Sequence, residues 1–415
     1  MPGSEQGASR PLFTRSELLR LIIPLVIEQL LLMTVGMADT VMVTTSGEAA
    51  VSGVSLVDNI NTLIIQIFAA LSTGGAVVVA QYLGRREAGN AKLASKQLLY
   101  TMTAVSVFLM AAALLFRQHI LSLIFGHVEA DVMESALVYF LITAAAYPFM
   151  GVYNAGSALF RAMGNSSVSM FCSLVVNVIN IAVNAIFIYG FGMGAAGAGI
   201  GTLASRIAAA IIIMVMLNHK SNAVRVEGVF HLEFRGDMIK RILFVGIPNG
   251  LENSMFQIGK LMVAGIVSMF GVSIIAANAI SNNISSLCNL PGTAVGLAIV
   301  TVVGQCVGAG DVRQARYYAN KLILLVYGFT IAVDIALFIF ARPLAGIFNL
   351  SPEALDASEE VLRWYAVAAA LFWPASFTVP NALRAAGDAR FTMGVSVFCM
   401  WVFRIGASYL LVYSF

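Results

Sequence analysis

The sequence predicts an all-α integral membrane protein in which two similar bundles of helices enclose a central cavity. Of its 415 residues, 59% are hydrophobic and only 11% are charged, and the mean hydropathy is +0.88. Soluble proteins carry about a quarter of charged residues, so this composition excludes a soluble globular domain. Two further observations complete the prediction: apolar stretches long enough to cross a bilayer recur along the chain, and the second half repeats the first.

Eleven apolar stretches of about 20 to 28 residues alternate with short polar segments, as expected for helices that cross a hydrocarbon layer about 30 Å thick. The N-terminal segment, 1–17, is polar and lacks the features of a cleaved signal peptide, so we expect the first span to remain in the mature protein. The predicted spans are 18–44, 52–80, 97–116, 135–159, 169–190, 198–217, 241–268, 274–303, 319–340, 359–381 and 392–415.

The distribution of basic residues predicts the orientation of the chain in the membrane. Of the 24 Lys and Arg residues, 18 fall on the side of the membrane where the N-terminus lies, and only Arg117 and Arg342 fall on the opposite side. The other four lie within spans and are Arg206, Lys260, Arg363 and Arg404. Because cytoplasmic loops carry the excess of positive charge, we expect a cytoplasmic N-terminus in a multi-pass protein of the inner (plasma) membrane.

An internal repeat divides the chain into two lobes. A shift of 224 residues brings Pro24 onto Pro248 and Glu28 onto Glu252, and a shift of 223 brings FRAMGN at 160–165 onto LRAAGD at 383–388. We therefore predict an N-lobe at 18–217, a cytoplasmic linker at 218–240 and a C-lobe at 241–415, arranged as a parallel repeat. The counterpart of the sixth span would begin near residue 421, so we expect a twelfth span that this sequence does not include.

The first span contains two carboxylates at membrane depth. Glu28 and Asp39 are eleven residues apart, which is about three helical turns, so both lie on one face about 16 Å apart. Pro24 removes a backbone hydrogen bond one turn before Glu28, and Pro248 does the same in the seventh span, so both helices can bend there. Acids in a membrane usually face protein, water or an ion, which indicates a cation pathway. A static kink with Asp39 held by a neighbour remains the alternative.

The fifth span carries a row of amides that the second half lacks. Asn177, Asn180 and Asn184 fall on one helical stripe, whereas the second half has Met400, Phe403 and Ala407 at the matching positions. Such a stripe can simply join helices by hydrogen bonds. Together with Asp39 and with Thr202 on the sixth span, it would also supply the hard oxygen ligands that a proton or small cation needs.

Several other residues are weaker candidates. Glu28, Glu252 and Asp58, which replaces Asn282 of the repeat, could supply secondary charges, whereas Asp334 is interpreted as a structural partner of Arg363 or Arg404. Flexible and aromatic side chains could line an adaptable, apolar substrate cavity. The candidates for this cavity are Met33, Met37, Phe68, Met255, Phe256 and Asn282.

The repeat, the loops QYLGRREAGNAK and GQCVGAGDVRQAR, and the stretch NVINIAVNAIFIYGFGMGAAGAGIGT together resemble the multidrug and toxic compound extrusion (MATE) transporters. The resemblance covers essentially the whole chain. It implies a secondary antiporter that exports cationic amphipathic compounds in exchange for H⁺ or Na⁺ by alternating access. The cation site it implies consists of Asp39, Asn180, position 184 and Thr202. Many relatives have Asp where this sequence has Asn184, and the loss of one negative charge favours H⁺.

The predicted partners are cationic drugs or metabolites and membrane lipid, with no nucleic acid and no oligomer partner. We expect no cofactor, because the sequence has no Gly-x-x-x-x-Gly-Lys loop for ATP. A polytopic enzyme is disfavoured, since the four histidines, His119, His127, His219 and His231, lack paired metal spacing. A flippase for a lipid or lipid-linked oligosaccharide would need a larger and more cationic cavity, and few basic residues are expected at the centre. A passive channel is a further alternative.

Overall fold

The computed structural model describes residues 11–126, 128–220, 222–226, 233–348 and 350–414, and within these ranges the regular structure is helical. Arg10, His127 and His231, most of the segment 1–17 and part of the linker 218–240 lie outside the described residues. The first helix begins with a capping box: Glu17 N donates to Thr14 Oγ1 at 3.3 Å, and Thr14 N donates to Glu17 Oε2 at 2.7 Å. These two bonds satisfy amides that would otherwise lack partners at the helix start.

The helices of the first half follow one another with short connections. They are α1 (Arg15–Thr44), α2 (Glu48–Gly84), α3 (Ala88–Phe125), α4 (Ala130–Ala145), α5 (Tyr147–Ala162), α6 (Ser166–Asn184) and α7 (Gly194–Leu217). Those of the second half are α8 (Gly236–Val267), α9 (Val272–Gly308), α10 (Val312–Gly346), α11 (Pro352–Ala386), α12 (Ala389–Phe398) and α13 (Ala407–Ser414). This all-α order confirms the predicted fold class.

The helices cover the eleven predicted spans, and ten of these spans meet the length and hydropathy expected of a membrane span in the described ranges. Nine helical segments in the described ranges are long and apolar enough to cross a membrane, and α4 with α5 makes a tenth. The span predicted at 135–159 is a broken one, because the chain bends by 47° between α4 and α5. Pro148 stands in the first turn of α5, where its missing N–H favours a new helix start. The span predicted at 241–268 lies in the continuous helix α8, which is not among these ten, and Asn249, Glu252 and Asn253 interrupt its apolar run.

Two π-helical turns occur in spans related by the repeat. Ala185–Gly190 follows α6, and Cys399–Gly406 joins α12 to α13. A π turn widens the helix and rotates the residues beyond it, and such turns are frequent at functional sites. The two turns are not at equivalent positions, so the fifth and eleventh spans present different side chains to α1 and α8.

The hydrophobic cores cross the predicted boundary between the lobes at two helices. Leu18–Leu25 of α1 packs with α9, α10 and α11 of the second half. Met238, Ile242 and Val245 of α8 pack in the core formed by α2 to α7. The first turns of α1 and α8 are therefore exchanged between the two bundles. Each of these helices mechanically connects one lobe with the other.

Pseudosymmetric hydrogen bonds close the molecule on the side where α1 begins. Gln81 Nε2 donates to the carbonyl oxygen of Ala385 at 2.9 Å, and its repeat counterpart Gln305 donates to the carbonyl oxygen of Ala162 at 2.8 Å. At the same level a Cβ on Gly84 would overlap the backbone of Gln305, and one on Gly308 would overlap that of Gln81. Helices α2 and α9 are thus in backbone contact, and no passage remains between them at this end.

Candidate cation site and central cavity

Asp39 lies against the amide stripe of α6. Asn184 Nδ2 donates to Asp39 Oδ1 at 2.6 Å and also lies 3.3 Å from Asn180 Oδ1. Asn180 and Asn184 are one turn apart and fully buried, so their side chains face α1 together. The side-chain oxygen of Asn184, Oδ1, is buried and has no hydrogen-bond donor in the described structure. A carboxylate and amide oxygens are therefore concentrated at one point between α1 and α6.

A second carboxylate belongs to the same region. Tyr139 donates from its hydroxyl to Asp58 Oδ1 at 3.1 Å, and Asn61 Nδ2 lies 3.5 Å from the same oxygen. Asp58 is close enough to Asp39 for the two carboxylates to repel each other, while Arg206 attracts Asp39. Like charges in a medium of low dielectric constant cannot both remain ionised at low cost. A bound proton or cation would relieve this repulsion.

The other predicted ligands occupy different positions. Thr202 contacts the Tyr139 hydroxyl, so Tyr139 connects Thr202 to Asp58. Asn177 instead donates through Nδ2 to the carbonyl oxygen of Leu31 at 2.8 Å. This bond joins α6 to α1 and does not involve Asp39. The structure therefore brings Asp39, Asn180 and Asn184 together. Thr202 contacts Tyr139 rather than Asp39, and Asn177 joins α6 to α1.

Pro24 lies in a continuous helix whose backbone is supported by α6. Since proline has no N–H, the carbonyl oxygen of Arg20 lacks its usual partner. Ser166 Oγ lies 3.4 Å from this oxygen and donates to the Leu21 oxygen at 2.6 Å. The counterpart of Ser166 in the second half is Ala389, so Pro248 in α8 has no equivalent support. Between Gln29 and Val41 no side chain of α1 is buried, and the bonds from Asn177 to Leu31 and from Asn184 to Asp39 join this part of the helix to α6.

A central cavity of about 1020 Å³ lies between the lobes and contains two ion pairs related by the repeat. In the N-lobe, Arg161 Nη1 lies 3.5 Å from Glu28 Oε1, and Ser157 donates to the same oxygen at 3.2 Å. In the C-lobe, Arg384 Nη2 lies 2.7 Å from Glu252 Oε1, which also accepts from Ser396 Oγ at 2.7 Å. Both glutamates keep one buried oxygen without a donor.

Aromatic side chains form one wall of the cavity. The Phe256 ring packs edge to face on Phe377 with 5.6 Å between centroids, and Phe377 stacks on Trp373 at 5.2 Å. Met255 and Phe256 line the cavity as predicted, together with Phe391. These rings give the cavity a broad apolar surface suited to the body of an amphipathic molecule.

Four of the predicted cavity residues are absent from its wall. Phe68 is completely buried in the N-lobe core and packs on Tyr147 with 6.4 Å between ring centroids. Met33 and Met37 lie beyond Leu32, the last residue of α1 on the cavity wall, and Asn282 lies on an exposed part of α9. The prediction for these four is corrected, because hydropathy and residue type do not show toward which neighbour a helix face turns.

Two expectations about charge are also wrong. Four arginines, Arg161, Arg206, Arg384 and Arg404, line the cavity, although few basic residues were expected at the centre. Asp334 pairs with neither of its expected partners: Arg363 binds Glu359 at 2.8 Å, Arg404 lies over Phe256, and the buried Asp334 Oδ2 has no donor. The cavity therefore has more basic than acidic side chains.

Sequence reasoning did not identify the partners Tyr139, Arg161 and Arg384. The signal for the two arginines is present, because both stand at the second position of the repeated motif FRAMGN and LRAAGD. Their retention in both halves matches the retention of Glu28 and Glu252. No comparable pattern marks Tyr139, whose role depends on the packing of α4 against α2 and α7.

Comparison with known proteins identifies relatives over almost the whole chain. The MatE family model matches residues 24–186 and 248–410, one copy in each half. The probable multidrug resistance protein NorM of Thermotoga maritima is 28% identical over 97% of this chain and 86% of its own length. An uncharacterized transporter of Bacillus subtilis, YisQ, is 26% identical over 93% of this chain and 85% of its own length. An outward-facing MATE family transporter of the MOP superfamily is 21% identical, with a TM-score of 0.89 over 96% of this chain and 88% of its own.

Proposed function

This chain belongs to the MatE family of membrane transporters, and we propose that it is a multidrug efflux antiporter that exchanges amphipathic compounds for H⁺ or Na⁺ by alternating access. The observation that carries the proposal is the contact of Asp39 with Asn184 at 2.6 Å beside a second carboxylate, Asp58. A membrane-embedded pair of acids that repel each other gains stability when a small cation binds. Binding and release of that cation can therefore drive a conformational change.

A proton is the first candidate for the coupling ion. Asn184 supplies an amide where a carboxylate would add a further negative charge, and its Nδ2 donates to Asp39. A sodium site would have to turn this amide so that its oxygen faces the ion, at the cost of that hydrogen bond. Protonation of Asp39 or Asp58 instead removes the repulsion without rearranging ligands. Na⁺ remains the second candidate, because Asp39, Asn180 and Thr202 provide hard oxygen ligands.

Helix α1 is the proposed link between the cation and the substrate. The first turns of α1 pack in the core of the second lobe, and its middle part lines the cavity at Glu28, Gln29 and Leu32. Asp39 lies near the C-terminal end of the helix. The part between Gln29 and Val41 contains Asp39 and has no buried side chain, so it can move when the charge on Asp39 changes. Loading the cation would shift this part against α6 and alter the cavity wall, and a bend at Pro24 would accommodate the shift.

Cationic amphipathic compounds are the first candidate substrates. The aromatic wall formed by Phe256, Trp373 and Phe377 can hold an apolar body and attract a cation to the ring faces. Neither cavity glutamate is free, since each is paired with an arginine. A lipid or lipid-linked oligosaccharide flippase is the second candidate, and the four cavity arginines favour it.

Efflux from proteoliposomes tests the coupling. The protein is reconstituted with a fluorescent cationic amphiphile, and a pH gradient or an Na⁺ gradient is imposed separately. We expect Asp39→Asn to abolish gradient-driven export, because the site can no longer take up the ion. Asp131→Asn, at an exposed position in the first turn of α4, is the matched control and should transport normally. Undiminished gradient-driven export by Asp39→Asn would refute the proposal.

A further inference from the structure

Two basic side chains of the C-lobe converge on one aromatic ring. Lys260 Nζ lies 5.1 Å from the centroid of Phe256, and Arg404 Cζ lies 5.4 Å from the same centroid. The two cations are close enough to repel each other. A basic side chain within a membrane span is unfavourable, so two that repel each other are costly unless something compensates their charge.

No carboxylate of the described chain provides that compensation. The nearest acid along α8 is Glu252, two turns before Lys260, and it is bound to Arg384 and Ser396. Among the described residues no salt bridge joins Lys260 or Arg404 to a carboxylate, and Arg404 is the charged group that acts on Lys260. Lys260 also does not extend toward the end of its helix at Val267, because its ammonium lies over a ring one turn back. Escape of the charge to the nearer interface therefore does not explain the arrangement.

The repeat places this pair next to the counterpart of the cation site. A shift of 224 residues relates Lys260 to Gly36, three residues before Asp39, and a shift of 223 relates Arg404 to Ile181, beside Asn180. Helices α8 and α12 pack together as α1 and α6 do. The N-lobe thus carries Gly36 and Ile181, beside acids and amides, where the C-lobe carries two cations. The π turn Cys399–Gly406 presents Arg404 at this place, and regular helix continues only after it.

The surroundings of the pair suit an anionic amphiphile. Arg404 and Phe256 both line the central cavity, and Phe377 and Trp373 continue the aromatic wall from Phe256. An ammonium and a guanidinium together offer several donors to the oxygens of a sulfonate, phosphate or carboxylate. The rings beside them offer apolar contact to the rest of the molecule. We propose that Lys260 and Arg404 form an anion-binding site in the C-lobe that takes the acidic head group of an amphipathic molecule while its apolar body lies on the aromatic wall.

The site deepens the proposed function, since it adds acidic amphiphiles to the substrate classes, but its test does not depend on transport or on Asp39. The probe is tritiated taurocholate, a steroid sulfonate, and the full chain is placed in nanodiscs of phosphatidylcholine. We expect saturable binding whose Kd rises about tenfold in Lys260→Gln and about tenfold in Arg404→Gln, because each loses charge-assisted hydrogen bonds. Lys260→Arg should keep wild-type affinity.

A matched control is available at Lys321. Its Nζ lies 5.4 Å from the Tyr317 ring, also one turn back, but no second cation shares that ring. Lys321→Gln should bind taurocholate like the wild type. The double variant Lys260→Glu with Arg404→Glu should lose taurocholate binding and gain saturable binding of tetraphenylphosphonium, which distinguishes charge recognition from misfolding.

A second arm identifies the source of the anion. If a lipid head group occupies the site, anionic phosphatidylglycerol in the nanodisc should compete with taurocholate for the wild-type protein. The same lipid should not affect the residual taurocholate binding of the Gln variants. If the site takes soluble amphiphiles only, phosphatidylglycerol has no effect, while the Gln variants still weaken taurocholate binding. Both results support the site. Unchanged taurocholate affinity in the variant with Lys260→Gln and Arg404→Gln together would overturn it, whatever the Asp39 variants do in transport.

Discussion

Glu252 and Arg384 form a buried ion pair, with 2.7 Å between Oε1 and Nη2, on the wall of the central cavity. The corresponding pair in the first half, Glu28 with Arg161, is longer at 3.5 Å, and Ser157 lies between its partners. Both pairs join helices that are distant along the chain. Both halves therefore contain the same glutamate–arginine pair, whereas the charges near Asp39 in the first half differ from those near Lys260 in the second.

Removal of one partner of this pair should destabilise the protein strongly. Arg384→Met leaves Glu252 as a buried charge without a cation, which costs about 3 to 5 kcal/mol. We expect a large fall in the midpoint of thermal unfolding in detergent. The double variant with Glu252→Gln should recover much of the loss, because no charge is then left unpaired.

The control for that experiment is Arg342→Gln. Arg342 binds Glu359 at 2.6 Å, but its side chain is 54% exposed, so its removal should destabilise the protein only slightly. Equal destabilisation by Arg342→Gln and Arg384→Met would contradict the expectation that a buried ion pair is more costly to break than an exposed one.

Asn184→Asp should change the ion that drives export. The variant places a carboxylate where an amide now donates to Asp39 at 2.6 Å, so the site gains negative charge and loses a donor. Affinity for a metal cation should rise, and we expect export to respond to an imposed Na⁺ gradient. Separate Na⁺ and pH gradients in proteoliposomes measure the change. Asn177→Asp is the control, since Asn177 bonds the carbonyl of Leu31 instead; an equal Na⁺ response in both variants would count against the Asp39 site.

Tyr139→Phe should weaken coupling without removing an acid. The variant loses the hydroxyl that donates to Asp58 at 3.1 Å and that contacts Thr202. With less stabilisation of the ionised carboxylate, Asp58 should hold its proton more tightly and release it more slowly during the cycle. We expect gradient-driven export to fall several-fold and its dependence on pH to shift toward higher pH.

Tyr153→Phe serves as the comparison, because the Tyr153 hydroxyl bonds Ser173 at 2.8 Å and makes no bond to Asp58. A pH profile of Tyr139→Phe that coincides with that of Tyr153→Phe would show that the bond to Asp58 does not tune coupling.

Gly84→Leu should open the closed side of the molecule. A Cβ at Gly84 already overlaps the Gln305 backbone, and a leucine side chain adds to the overlap, so α2 and α9 must separate. Access of a membrane-impermeant thiol reagent to a cysteine introduced at Ala385 should increase in a background without native cysteines. Gly89→Leu, where nothing lies within 4 Å of an added Cβ, should leave access unchanged. Failure of Gly84→Leu to increase labelling would mean that this contact does not control the closed state.

The sequence was sufficient for the membrane class, the span pattern and the two related halves, because hydropathy and repetition are properties of the chain itself. The break in the fourth span was missed although Pro148 stands at it, because a run of apolar residues gives no bend angle. The candidate Asp39 was found from its position in an apolar span, and the amide row from its spacing. Phe68 was wrongly predicted to line the cavity, because an aromatic residue suits both the cavity wall and the core in which it is buried.

By itself the sequence determined that acids and amides lie at membrane depth and that Glu28 and Glu252 are counterparts. Only the tertiary structure decided that Arg161 and Arg384 neutralise these glutamates, that α1 and α8 exchange cores, and that Lys260 and Arg404 meet over Phe256. The physical reason is that the periodicity of one helix places a residue on a face, whereas the charge it meets depends on how neighbouring helices are rotated and spaced.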